Sequence, residues 1–119
     1  MRIDEQVCSV ELAKKLKELG LEQGKSMFIT RQDGGHTILN KPHDWDSNEP
    51  HYYSAFTVAE LGDMLPYGYF TQKVWTSAPL YRWDCTSRDT NYVQFADTEA
   101  DARAKMLVHL IESRIVAVE

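Results

Sequence analysis

The sequence predicts a single α+β domain over residues 1–119, with about five antiparallel strands and three helices in the order α-β-β-α-β-β-β-α. Three observations carry that prediction. Two amphipathic helical stripes stand near the two ends of the chain. A capping box marks a short helix between them. Aromatic-rich runs with period-two alternation fill the space before the last helix, as in half-buried antiparallel strands. Helices packed on one face of such a sheet would leave the opposite face free.

The first helix is expected over residues 9–19. Leu12, Leu16 and Leu19 recur on one face with Ala13 beside them, and Lys14, Lys15, Lys17 and Glu18 fill the other. Ser9 is placed to cap its start, and Gly20 followed by Leu21 reads as a left-handed stop. Residues 27–31 and 36–40 flank Asp33-Gly34-Gly35, a hairpin signal because the tight turn needs positive φ. Residues 41–54 read as a long polar loop with Pro42 and Pro50.

Thr57-Val58-Ala59-Glu60 is the capping box of the second helix, with Phe56 and Leu61 at the positions of a hydrophobic staple. Pro66 limits that helix to about two turns. Strands are expected at residues 69–75, 79–86 and 92–95. In the middle one Tyr81, Trp83 and Cys85 share one face, and Arg82, Asp84 and Thr86 the other. The last helix starts at Thr98. Ala100, Ala104, Leu107, Ile111 and Ile115 trace its apolar stripe, widened by Met106 and Leu110. Residues 115–118 read equally as a final turn, a short strand or a frayed end.

Residues 8–20, 55–66 (AFTVAELGDMLP) and 98–113 (TEADARAKMLVHLIES) resemble a family of small phage- and prophage-encoded proteins of no assigned activity. The resemblance covers about a third of the chain, mostly helix starts and apolar helix faces. It implies a phage or prophage accessory protein in a bacterial cytoplasm. It implies no catalytic residue and no cofactor.

Composition narrows the function classes. With 13 Lys plus Arg against 18 Asp plus Glu, the net charge is −5, which disfavours a groove for long nucleic acid. No apolar run approaches the roughly 20 residues of a membrane span, and the first six residues are too polar for a signal peptide. The two cysteines, Cys8 and Cys85, are expected to be free packing thiols in a reducing cytoplasm. Cys8 also sits near a helix start, where the dipole favours a thiolate.

The polar loop holds His43, Asp44, Asp46 and His51, with His36 upstream. These are weak metal candidates. Their spacing matches no compact zinc motif, and the calcium-loop Gly is replaced by Glu49. Metals and other cofactors are therefore not expected. A small enzyme built on residues 36–51 is one reading of this loop. No glycine-rich phosphate loop or nucleophile elbow supports it. His109 reads as structural.

The aromatic concentration is more suggestive. Eight of the 13 aromatic residues fall between Tyr67 and Phe95, interleaved with Lys73, Arg82 and Arg88. Aromatics with guanidinium groups anchor protein interfaces or stack bases. The binding candidates are Tyr81, Arg82, Trp83 and Arg88, together with Tyr52 and Tyr53, expected to be exposed in the polar loop. The leading expectation is a non-catalytic binder of a host protein, such as a host-defence component, or a self-associating chain. The acidic balance favours a basic partner. The alternative is a protein that sequesters a small nucleotide signal through Arg82, Arg88, Trp83 and Tyr81.

Overall fold

The computed structural model describes residues 6–21, 23, 28–31, 37–38, 52–76, 81–89 and 92–117. The elements are α1 (Val10–Glu18), β1 (Ile29–Arg31), β2 (Thr37–Ile38), β3 (Tyr52–Ser54), α2 (Val58–Met64), β4 (Tyr69–Trp75), β5 (Tyr81–Ser87), β6 (Gln94–Ala96) and α3 (Glu99–Glu112). The class is α+β, and the expected elements follow one another in the expected order. One expectation is corrected: the single sheet is split into two antiparallel sheets, with strand orders β2-β1-β3 and β4-β5-β6. The further strand, β3, comes from the end of the stretch read as a polar loop.

The helix ends follow the local sequence. Gly20 takes φ 97°. The Leu21 N–H donates to Leu16 C=O, and the Gly20 N–H to Lys17 C=O, both at 3.0 Å. That is the paired bonding of a Schellman stop. Ser9 occupies the N-cap of α1 but its side chain makes no cap bond. Its backbone N–H instead donates to Asp101 Oδ1 on α3, at 2.6 Å. The capping box of α2 is complete, with Glu60 N–H to Thr57 Oγ1 at 3.1 Å and Thr57 N–H to Glu60 Oε1 at 2.9 Å. Both staple residues, Phe56 and Leu61, are fully buried. After Met64 the chain turns extended at Leu65, directly before Pro66.

Two clusters make up the core, and α3 separates them. One of its faces, carrying Ala100, Ala104, Leu107 and Ile111, meets Ala13 and Leu16 of α1, Phe56, Leu61 of α2 and Tyr53 of β3. The other, carrying Ala102, Met106 and Leu110, meets Cys85 of β5 and Ala96 of β6. The alanines let the helix approach both layers closely, because a small side chain keeps the interaxial distance short. Ile115 is exposed while Val116 packs on both clusters, so the tail closes α3 as an irregular turn.

In the first sheet the described side chains are buried on both faces. Ile29 and Ser54 pair on one face, Thr30 and Tyr53 on the other, and all four side chains are buried. Gln23 covers the first of these faces, where its Oε1 accepts from Ser54 N–H at 2.7 Å and its carbonyl accepts from the Ser54 hydroxyl. Among the described side chains of this sheet, the expected open flank is absent. The expectation holds for the second sheet, where α3 lies on one face and, among the described residues, no element covers the other.

Candidate functional site

The register of the second sheet decides which side chains share a surface. Tyr69, Thr71, Lys73 and Trp75 of β4 oppose Ser87, Cys85, Trp83 and Tyr81 of β5. Directly opposed residues point to the same side, so this is the face under α3. Phe70, Gln72 and Val74 oppose Thr86, Asp84 and Arg82, and Phe95 opposes Asp84 from β6. That set makes the open face.

On the open face the aromatic and basic groups are organised. Arg82 Nε lies 2.9 Å from Asp84 Oδ1, with the Arg82 side chain 40% exposed and that of Asp84 only 10%. The Arg82 guanidinium also lies over the Phe95 ring, 4.8 Å from its centre. Phe95 itself is 53% exposed and Phe70 is 38% exposed. The carboxylate thus holds the guanidinium over a ring that remains half in water. Such an arrangement keeps little side-chain entropy to lose on docking.

On the face under α3 the sheet runs past the helix start, and a second aromatic group stands clear of it. The Trp75 and Tyr81 rings meet edge to face at 4.5 Å. Lys73 Nζ sits 4.5 Å from the Tyr81 ring centre and 6.0 Å from that of Trp83. Beside them is a cleft of about 260 Å³, lined by Lys73, Trp83, Thr98, Asp97 and Glu99 among others. Two carboxylates make that cleft unattractive to a phosphate.

The sequence-predicted residues are dispersed by this geometry. Tyr81 and Trp83 fall on one face and Arg82 on the other. Arg88 stands in the turn after β5, beside a shallow depression of about 450 Å³ lined by Tyr67, Tyr69, Phe70 and Asp89. Tyr53 corrects its expectation: it is 4% exposed, not a loop residue, with Lys17 Nζ 5.4 Å from its ring centre. Tyr52 lies in β3 opposite Arg31. His36, His43, Asp44, Asp46 and His51 lie outside the described residues. Among the described residues, no group of three or more His, Cys, Asp or Glu could hold a metal ion. Lys73, Trp75 and Asp84 were missed as site residues, although the two-residue period of β4 and β5 placed them with their neighbours; Phe95 was missed because only the pairing of β6 with β5 brings it to Asp84.

Neither cysteine suits a nucleophile. Burial pushes the Cys8 thiol up to about 12, and that of Cys85 up to about 11. The expected dipole effect on Cys8 is overwhelmed by desolvation, since a thiolate there would lose its water. His109 stacks on Tyr92 with ring centres 3.9 Å apart, a packing role on the flank of α3.

Comparisons with protein-family models, curated proteins and solved structures find no match. No helix among the described residues is long and apolar enough to cross a membrane.

Proposed function

We propose that this chain is a non-catalytic binding module that docks the open face of β4-β5-β6 on a partner protein. The observation that carries the reading is the Asp84–Arg82–Phe95 stack: a buried carboxylate, a guanidinium pinned to it, and an exposed ring beneath. Arginine and aromatic residues dominate binding energy at protein interfaces, and pre-ordering them lowers the cost of association. Phe70 and Val74 extend the surface on β4. The net charge of −5 favours a basic partner surface through faster encounter. The phage or prophage resemblance supplies the setting: a bacterial cytoplasm, with a host-defence component as the partner class.

The nucleotide-sequestering reading has less support. Arg82 and Arg88 do not converge with Tyr81 and Trp83, and the cleft beside Lys73 carries Asp97 and Glu99.

Affinity capture from a host lysate tests the proposal, comparing the natural chain with Arg82→Glu and Phe95→Asp variants whose circular dichroism is unchanged. A partner held by the natural chain and lost by both variants is expected. Capture that both substitutions leave intact would remove the open face from the reading.

A further inference from the structure

The geometry points to β4 as a strand-pairing edge, and we propose that its occupant is β4 of a second copy of this chain. The two strands run antiparallel, with Gln72 facing Gln72 across a twofold axis. This goes beyond the partner-binding reading and stands without it, because it uses the strand edge, not the face, and is measured with the chain alone.

The two edges of the second sheet are built differently. At β6 the edge is three residues long, and Lys105 Nζ donates to the Phe95 carbonyl at 3.0 Å. A short strand capped by a lysine is a guarded edge. At β4 the edge is seven residues long, and the strand pairs only with β5 among the described residues. Every second residue of an edge strand turns its N–H and C=O outward, ready to pair. The single charge on β4, Lys73, does not guard it: its ammonium leans over the Tyr81 and Trp83 rings on the β5 side. The remaining residues, Tyr69, Phe70, Thr71, Gln72, Val74 and Trp75, are almost all strong strand formers.

The strand is complementary to itself. A twofold axis relating two antiparallel strands of one sheet must place some residue opposite its own copy. Only Gln72, the middle of Tyr69–Trp75, lets all seven residues pair. In that register Phe70 meets Val74 on the open face and Tyr69 meets Trp75 on the other. Aromatic–aliphatic and aromatic–aromatic pairs of this kind stabilise sheets. Lys73 meets Thr71, whose hydroxyl donates to the Glu99 carboxylate. That carboxylate is shared with Arg103, which also donates to Thr71 Oγ1, so the Lys73 ammonium meets a guanidinium already neutralised by its carboxylate, and no like charges stand directly opposite.

Pairing also enlarges the open face. Two seven-residue strands and one of three residues span roughly 300 Å², well under the ~800 Å² per partner of a standard interface. Joining two sheets edge to edge doubles that surface and sets both Phe70–Val74 pairs at its centre.

Sedimentation equilibrium on the full chain, from micromolar to millimolar, is the test. A monomer–dimer equilibrium is expected. Gln72→Lys should weaken it about fivefold, since like charges then face each other across the axis. That lysine would still oppose Asp84 within its own chain, so the monomer fold is kept. Under mild oxidation Gln72→Cys should form a covalent dimer, whereas Asp89→Cys, away from the edge, should not. A monomeric mass at every concentration would overturn the proposal. So would a dimer that Gln72→Lys leaves unchanged and Gln72→Cys fails to cross-link.

Discussion

A Cβ built on Gly62 of α2 would stand 2.1 Å from Nη1 of Arg103 on α3. The glycine is therefore the seat of the guanidinium. From there Arg103 donates to Val58 C=O at 3.1 Å, to Thr71 Oγ1 at 3.2 Å and to Glu99 Oε2 at 3.2 Å. One side chain ties α2, α3 and β4 together. Gly62→Ala should destabilise the protein by about 1–3 kcal/mol, because it displaces a group whose bonds are then lost. In an Arg103→Ala background the same substitution should be neutral or stabilising by up to about 1 kcal/mol, the helix gain of alanine over glycine. Thermal unfolding of the four proteins of this cycle measures the coupling, and equal costs in both backgrounds would refute it.

Asp101 joins the start of α1 to the first turn of α3 by accepting from Ser9 N–H. Burial raises its carboxyl above the usual 3.8, outweighing the hydrogen bond from Ser9 that lowers it. A folded value above the unfolded one favours the protonated form in the native state. The associated stability is full below about the unfolded value and is lost as pH rises through the folded value. Asp101→Asn keeps an acceptor oxygen and removes the titration. Denaturant midpoints measured from acid to neutral pH should fall less steeply with rising pH in the variant. Parallel profiles would exclude Asp101 as the source.

Cys8 and Cys85 should react with a thiol reagent at mildly alkaline pH only as fast as the protein opens. Their thiols are pushed to about 12 and about 11 by burial, so little thiolate exists in the native state. Denaturant should release both at once. Rapid labelling of either one in the native chain would contradict their burial.

Truncation of a buried and of an exposed aromatic residue should differ sharply in cost. Tyr53→Ala removes a buried ring from the main core and should cost about 3–5 kcal/mol. Trp75→Ala, at a side chain 57% exposed, should change stability by less than about 1 kcal/mol. Chemical denaturation of each variant separates the cases, and similar losses would mean that the Trp75 end of the sheet is also core.

Local chemistry made the helices legible. The Thr57–Glu60 box, the Gly20 stop and the apolar stripe of α3 each depend on residues within a few positions, so the sequence alone determines them. The alternation in β5 was legible for the same reason, and with it the separation of Tyr81 and Trp83 from Arg82. What the tertiary structure decided was pairing at long range. Tyr52–Ser54 carries no strand pattern of its own and becomes β3 only because β1 binds it, which buries Tyr53. The division into two sheets depends on α3 offering apolar residues on two faces, Ala100, Ala104, Leu107 and Ile111 toward one layer and Ala102, Met106 and Leu110 toward the other. Helix caps and strand alternation are settled among neighbours, whereas sheet membership and the open face around Phe95 depend on contacts between residues far apart in the chain.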